Sequence, residues 1–132
     1  MLNPFPIQFL ALLAHLLLRV ITGVVLLILG YQHFKHRTTL YLVLSLSIFP
    51  FGKITTFVFI VTELTIGTLL ILGMHTQIAA LLLIAMSVKM LFLRKWFPHL
   101  AIPGRLFYLL LLGISCSLFI TGAGALAFDL PL

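Results

Sequence analysis

Phe9-Leu-Ala-Leu-Leu-Ala-His15-Leu-Leu-Leu-Arg19-Val-Ile-Thr-Gly23-Val-Val-Leu-Leu-Ile-Leu-Gly30 is apolar throughout except for His15, Arg19 and Thr22. At 1.5 Å per residue such a run reaches about 33 Å, enough to cross a hydrocarbon core of about 30 Å. Three more runs have the same character: Ile54 to Gly73, Thr76 to Leu93 and Arg105 to Gly122. Each is about 18 to 20 residues long, so four spans are expected. The turn Gly73-Met-His75-Thr is tight and makes the second and third spans antiparallel neighbours.

Composition agrees with the runs. Of the 132 residues, 63% are hydrophobic and 8% charged, against roughly 45–50% and 25% in soluble domains. Mean hydropathy is +1.32. The expectation is an all-α integral membrane four-helix bundle, a single domain over residues 1–132 with no soluble domain attached. Met1-Leu-Asn-Pro-Phe-Pro has no basic start and no small-residue cleavage site follows it, so the first run is read as a retained span. Leu40 to Phe49, closed by Pro50-Phe51-Gly52, is apolar but would reach only about 15 to 20 Å as a helix. It is read as a re-entrant or interfacial segment between helices 1 and 2, with a fifth span as the alternative.

The net charge of +6 comes from eight basic and two acidic residues. Lys35, Arg37 and Lys53 fall in the first loop, and Arg94, Lys95 and Arg105 in the third. The N-terminus, the His75 loop and the C-terminal tail carry no Lys or Arg. By the positive-inside rule both termini are expected outside the cell membrane, with loops 1 and 3 cytoplasmic. Tyr31, Trp96, Phe97 and Tyr108 are expected near the inner interface. Basic residues that flank apolar spans orient a membrane protein and meet anionic headgroups, which argues against nucleic acid as a partner.

Arg19, Glu63, His15 and Lys89 are the ionisable residues inside the spans. A charge in the hydrocarbon core costs about 2.5 to 3.5 kcal/mol on insertion scales. Arg19 and Glu63 are each near the middle of their runs, so they are expected to pair at the midplane, with His15 one turn from Arg19 on the same face. Gly23 and Gly67 follow their charges by four residues and would let the two backbones approach closely. Thr22, Thr62 and Thr65 are candidate hydroxyl partners. The pair is read either as a latch that fixes the register of two helices, or as a buried polar site for a quinone headgroup, a proton or a partner's polar group. Lys89, about one turn before Arg94, is expected to snorkel to the interface. Asp129, beyond Thr121-Gly-Ala-Gly124, is placed at the outer mouth of the fourth span.

Redox chemistry within the chain is not expected. Cys116 is the single cysteine, which excludes an intramolecular disulfide or a thiol pair. His33-x-x-His36 has a ligand-like spacing, but Lys35 and Arg37 would repel a cation there, and no metal site is assigned. Two acidic residues are too few for a di-iron carboxylate centre. With His15 the one deep histidine, bis-histidine haem is not expected either. A faint internal echo joins Arg19-Val-Ile-Thr-Gly23 to Glu63-Leu-Thr-Ile-Gly67, each leading to Leu-Leu-Ile-Leu-Gly.

At these residues the sequence resembles the DoxX family of small four-span membrane proteins, which includes quinol oxidase and thiosulfate:quinone oxidoreductase subunits. The matching features are Leu18-Arg19 with Gly30, Glu63-Leu-Thr-Ile-Gly67 leading to Gly73-Met-His-Thr, Ala79-Ala80, and Thr121-Gly122-Ala-Gly124 with Asp129. The chain departs from the family pattern at Gly30-Tyr-Gln-His33-Phe-Lys35, where Gly-x-x-Lys is frequent, and at Gln77, where an arginine is usual. The resemblance implies a membrane subunit or anchor of a quinone-linked oxidoreductase. It would bind quinone near Arg19 and Glu63, or anchor a redox partner subunit that carries the electrons. The alternative is a non-enzymatic scaffold or small-solute carrier that uses the same pair as latch or gate.

Overall fold

The computed structural model describes residues 7–38, 40–41, 52–96 and 103–122. Among them are four helices: α1 (Ile7–Lys35), α2 (Gly52–Leu72), α3 (Thr76–Trp96) and α4 (Arg105–Thr121). No strand occurs among the described residues, and the chain is an all-α membrane-type bundle. Leu13–Lys35, Lys53–Leu72 and Thr76–Lys95 are long and apolar enough to cross a membrane. The fourth helix is apolar but shorter, and its 17 residues reach about 25 Å.

The alternation of faces explains why lipid suits this bundle. Along α1, Leu10, Leu13, Leu17, Ile21, Val24, Ile28 and Tyr31 recur every three or four residues, and all are exposed. Arg19, Thr22, Leu26 and His33 lie on the opposite stripe, and all are buried. The outward face is thus more apolar than the inward one. Several threonine hydroxyls inside the spans are satisfied by their own helix: Thr22, Thr62, Thr65 and Thr121 each donate to the carbonyl four residues earlier, at 2.6 to 2.7 Å.

Helices α1 and α2 pack closely along one another, as do α3 and α4, and Leu26, Ile66, Leu70, Ala79, Ala80, Leu83 and Leu118 fill the core between these pairs. The tight turn after α2 forms as expected. Gly73 is left-handed at φ 69° and its N–H donates to the Leu69 carbonyl at 2.8 Å. His75 is also left-handed, at φ 50°, and its carbonyl accepts from the Ala79 N–H at 2.9 Å as α3 begins.

Three boundaries differ from the sequence expectation. Helix α3 runs to Trp96, three residues past Leu93, so Arg94 and Lys95 form its last turn and not part of the third loop. Helix α1 does not stop at Gly30 but continues to Lys35, which turns Tyr31 to Lys35 from loop into helix. Of the segment read as re-entrant or interfacial, Leu40 and Tyr41 are helical, with Leu40 buried and its N–H directed to the His36 carbonyl. The remainder, to Phe51, lies outside the described residues, as do Phe97 and Asp129.

Candidate functional site

Helices α1 and α2 cross at two glycines. A Cβ added to Gly23 would lie 2.8 Å from the Gly67 carbonyl oxygen and 3.2 Å from the Ile71 nitrogen, and one added to Gly67 would lie 3.0 Å from the Gly23 carbonyl oxygen. The close approach expected of these glycines is therefore present. Further along, Gly30 faces Leu64, and His33 faces Phe59 and Glu63.

This register corrects the pairing expected at the midplane. Both charges precede their glycines by four residues, but the helices run in opposite directions. With the glycines in contact, Arg19 lies on one side of the crossing and Glu63 on the other, about 12 to 15 Å apart along the axis. Arg19 and Glu63 are both buried, as expected of charges inside a bundle, yet they occupy separate levels. Nor does His15 join either of them, since its Nδ1 donates to the Ala11 carbonyl of its own helix at 2.6 Å. Thr22, Thr62 and Thr65 bond within their helices and supply nothing to Glu63.

Glu63 is instead met by His33. The His33 Nδ1 donates to the Glu63 Oε2 at 2.6 Å, with both side chains buried. His33 was accessible to sequence reading only through helical period. Arg19, Thr22, Leu26, Gly30 and His33 follow one another at intervals of three or four, and the stripe runs past the glycine taken as the end of the span.

Tyr108 completes the arrangement from α4. Expected at the inner interface, it is buried in the core, within reach of the charges of Glu63 and Arg94. Three buried polar atoms, His33 Nε2, Ser87 Oγ and Tyr108 OH, have no hydrogen-bond partner among the described residues. A buried polar group without a partner costs about 1 to 3 kcal/mol, so each of these atoms calls for a partner that the described residues do not supply. The described residues hold no group of three or more potential metal ligands.

Five basic residues share one end of the bundle. Lys35 closes α1, Lys53 opens α2, Arg94 and Lys95 close α3, and Arg105 opens α4. The His33 and Glu63 pair is nearer this basic end, whereas Arg19 is nearer the turn that joins α2 to α3.

Comparison with known proteins bears on this geometry directly. The family model described as DoxX matches residues 14–96, well over half of the chain, and takes in Arg19, His33 and Glu63. Helix α4, with Tyr108, lies beyond the matched residues. No curated protein and no solved structure matches the chain.

Proposed function

We propose, because the chain belongs to the DoxX family of small integral membrane proteins, that it is a membrane subunit of a quinone-linked oxidoreductase, and that the buried His33 and Glu63 pair forms its quinone-headgroup site. One observation carries the reading. His33 is fixed through Nδ1 by a carboxylate, while its Nε2 is buried with no hydrogen-bond partner among the described residues, and the buried Tyr108 hydroxyl, which feels the charge of the same carboxylate, also has none among them. An amphipathic ring with oxygen at its edge suits these groups: Phe59 packs against the imidazole, Nε2 can accept from a quinol hydroxyl, and the Tyr108 hydroxyl can donate to a quinone carbonyl or accept from a quinol hydroxyl.

A bound quinone supplies the two-electron, two-proton couple that the chain lacks. The residues of the chain bind and handle protons. Glu63 holds the imidazole in one orientation and one tautomer. As His33 gains a proton at Nε2 it can release one from Nδ1 to Glu63 Oε2 along the 2.6 Å hydrogen bond, which moves a proton through the ring without moving the side chain. Tyr108 contributes a hydroxyl that can donate or accept. Burial keeps bulk water from competing for these contacts. Electrons enter from a partner subunit, which the basic end is suited to dock; by the positive-inside rule that end faces the cytoplasm.

Extraction of the full chain in native lipid, followed by mass spectrometry of what remains bound, tests the proposal. Stoichiometric quinone, or a co-purifying redox subunit, supports it. A preparation that retains phospholipid alone, together with solute or proton flux in vesicles, would replace it with a carrier, and phospholipid without flux would replace it with a scaffold.

A further inference from the structure

The end of α1 and the start of α2 enclose a cavity of about 700 Å³ that the His33 and Glu63 site does not use. Its volume is within the range of small-molecule sites, roughly 300 to 1,000 Å³. Two cations, Arg37 and Lys53, line it, and no acidic residue does so among the described residues. Hydroxyl-bearing Thr38, Tyr41 and Thr56 and the apolar Phe34, Phe57 and Ile60 complete the described lining.

These walls are graded in polarity. Phe34 and Phe57 are both more than half exposed on the lipid-facing side, whereas Arg37 and Lys53 are exposed at the basic end of the bundle. Arg37 lies over the Phe34 ring at 5.9 Å, a cation–π contact that holds the guanidinium at the seam between the two zones. Lys53 is in the first turn of the 21-residue helix α2, whose N-terminal partial positive charge adds to its own. The cavity is therefore positive and hydroxylated at one end, aromatic and apolar at the other, and located at the level where headgroups meet acyl chains.

We propose that this cavity binds a single anionic phospholipid, with the phosphate between Arg37 and Lys53, the Thr38, Tyr41 and Thr56 hydroxyls around the headgroup, and the upper acyl chains along Phe34 and Phe57. A zwitterionic lipid carries a cationic group into the same positive space and is disfavoured. The site is independent of the quinone reading and stands or falls separately from it. Bound there, the lipid would tie the end of α1 to the start of α2, directly beneath the His33 and Glu63 pair.

Native mass spectrometry of the full chain in detergent, offered equal amounts of phosphatidylglycerol and phosphatidylcholine with identical acyl chains, reads the site. One basic residue near an anionic surface is worth about a fivefold preference, so the wild-type chain should retain a single phosphatidylglycerol with a preference of roughly tenfold or more. Arg37→Gln with Lys53→Gln should bring the two lipids to near parity, while Lys95→Gln with Arg105→Gln, at the same end but outside the cavity, should retain the preference. If the double variant in the cavity does not fold by circular dichroism, each single variant should show a loss of about fivefold. Inorganic phosphate at ten times the lipid concentration should not displace the lipid. Equal retention of the two lipids by the wild type, or equal loss in both variant pairs, would overturn the proposal. Displacement by inorganic phosphate alone would assign the cavity to a free anion and overturn it as well.

Discussion

Gly23 rests directly on Gly67, and this one contact sets the vertical position of every polar side chain on α1 relative to α2. Because the helices are antiparallel, it separates Arg19 from Glu63 and brings His33 to the carboxylate. The contact also has an energetic signature. A methyl at Gly23 meets backbone atoms of Gly67 and Ile71, which cannot rotate away. Gly23→Ala should destabilise the protein by about 1 to 3 kcal/mol, read as a lowered midpoint in thermal unfolding in detergent. Gly113→Ala, where a Cβ has no neighbour within 4 Å, should be neutral or slightly stabilising.

Coupling energies distinguish the pairing that exists from the one expected. In a double-mutant cycle His33→Ala and Glu63→Gln should interact by about 0.5 to 3 kcal/mol, since they share a buried hydrogen bond. Arg19→Gln and Glu63→Gln should be additive to within about 0.5 kcal/mol. Strong coupling in the second cycle would mean that the register is wrong.

Removal of one partner from the buried pair leaves the other exposed to a medium of low polarity. Glu63→Leu alone should cost about 1 to 3 kcal/mol, because it strands the buried Nδ1–H of His33, whereas His33→Leu with Glu63→Leu together should recover most of that loss in stability while abolishing any ligand binding. Chemical unfolding in mixed micelles measures both.

Tyr108→Phe should separate function from folding. The hydroxyl has no protein partner among the described residues, so its loss should change stability by no more than about 1 kcal/mol in either direction. Quinone affinity should fall about three- to tenfold, the worth of one hydrogen bond.

What the sequence disclosed, and what it hid, follows from the physics of each feature. Four helices were legible because apolar runs of spanning length have few other uses. The glycine contact was legible too, since small residues spaced a turn from a buried charge are how membrane helices approach one another. Depth was not. The apolar run ends at Gly30, where polar residues begin, although the buried stripe from Arg19 continues through His33 and the helix to Lys35. Once the helix was cut short, Arg19 became its centre and Glu63 its natural partner. The two expectations, a glycine contact and a charge pair, were incompatible in antiparallel helices, and packing decided between them. The residue type of Tyr108 speaks to depth near the basic end and not to which way the side chain turns, and at this helix start it turns inward.

Titration of the full chain, reconstituted in phosphatidylcholine nanodiscs, with a short-chain benzoquinone and its quinol tests the proposed site most directly. The expected result is saturable binding of one molecule per chain, with the reduced, quinol form weakened at least tenfold by His33→Ala and either form several-fold by Tyr108→Phe, and both unchanged by His15→Ala on the far side of the glycine crossing. Binding that is absent, or quinol binding that persists undiminished in His33→Ala, would contradict a quinone site at His33 and Glu63.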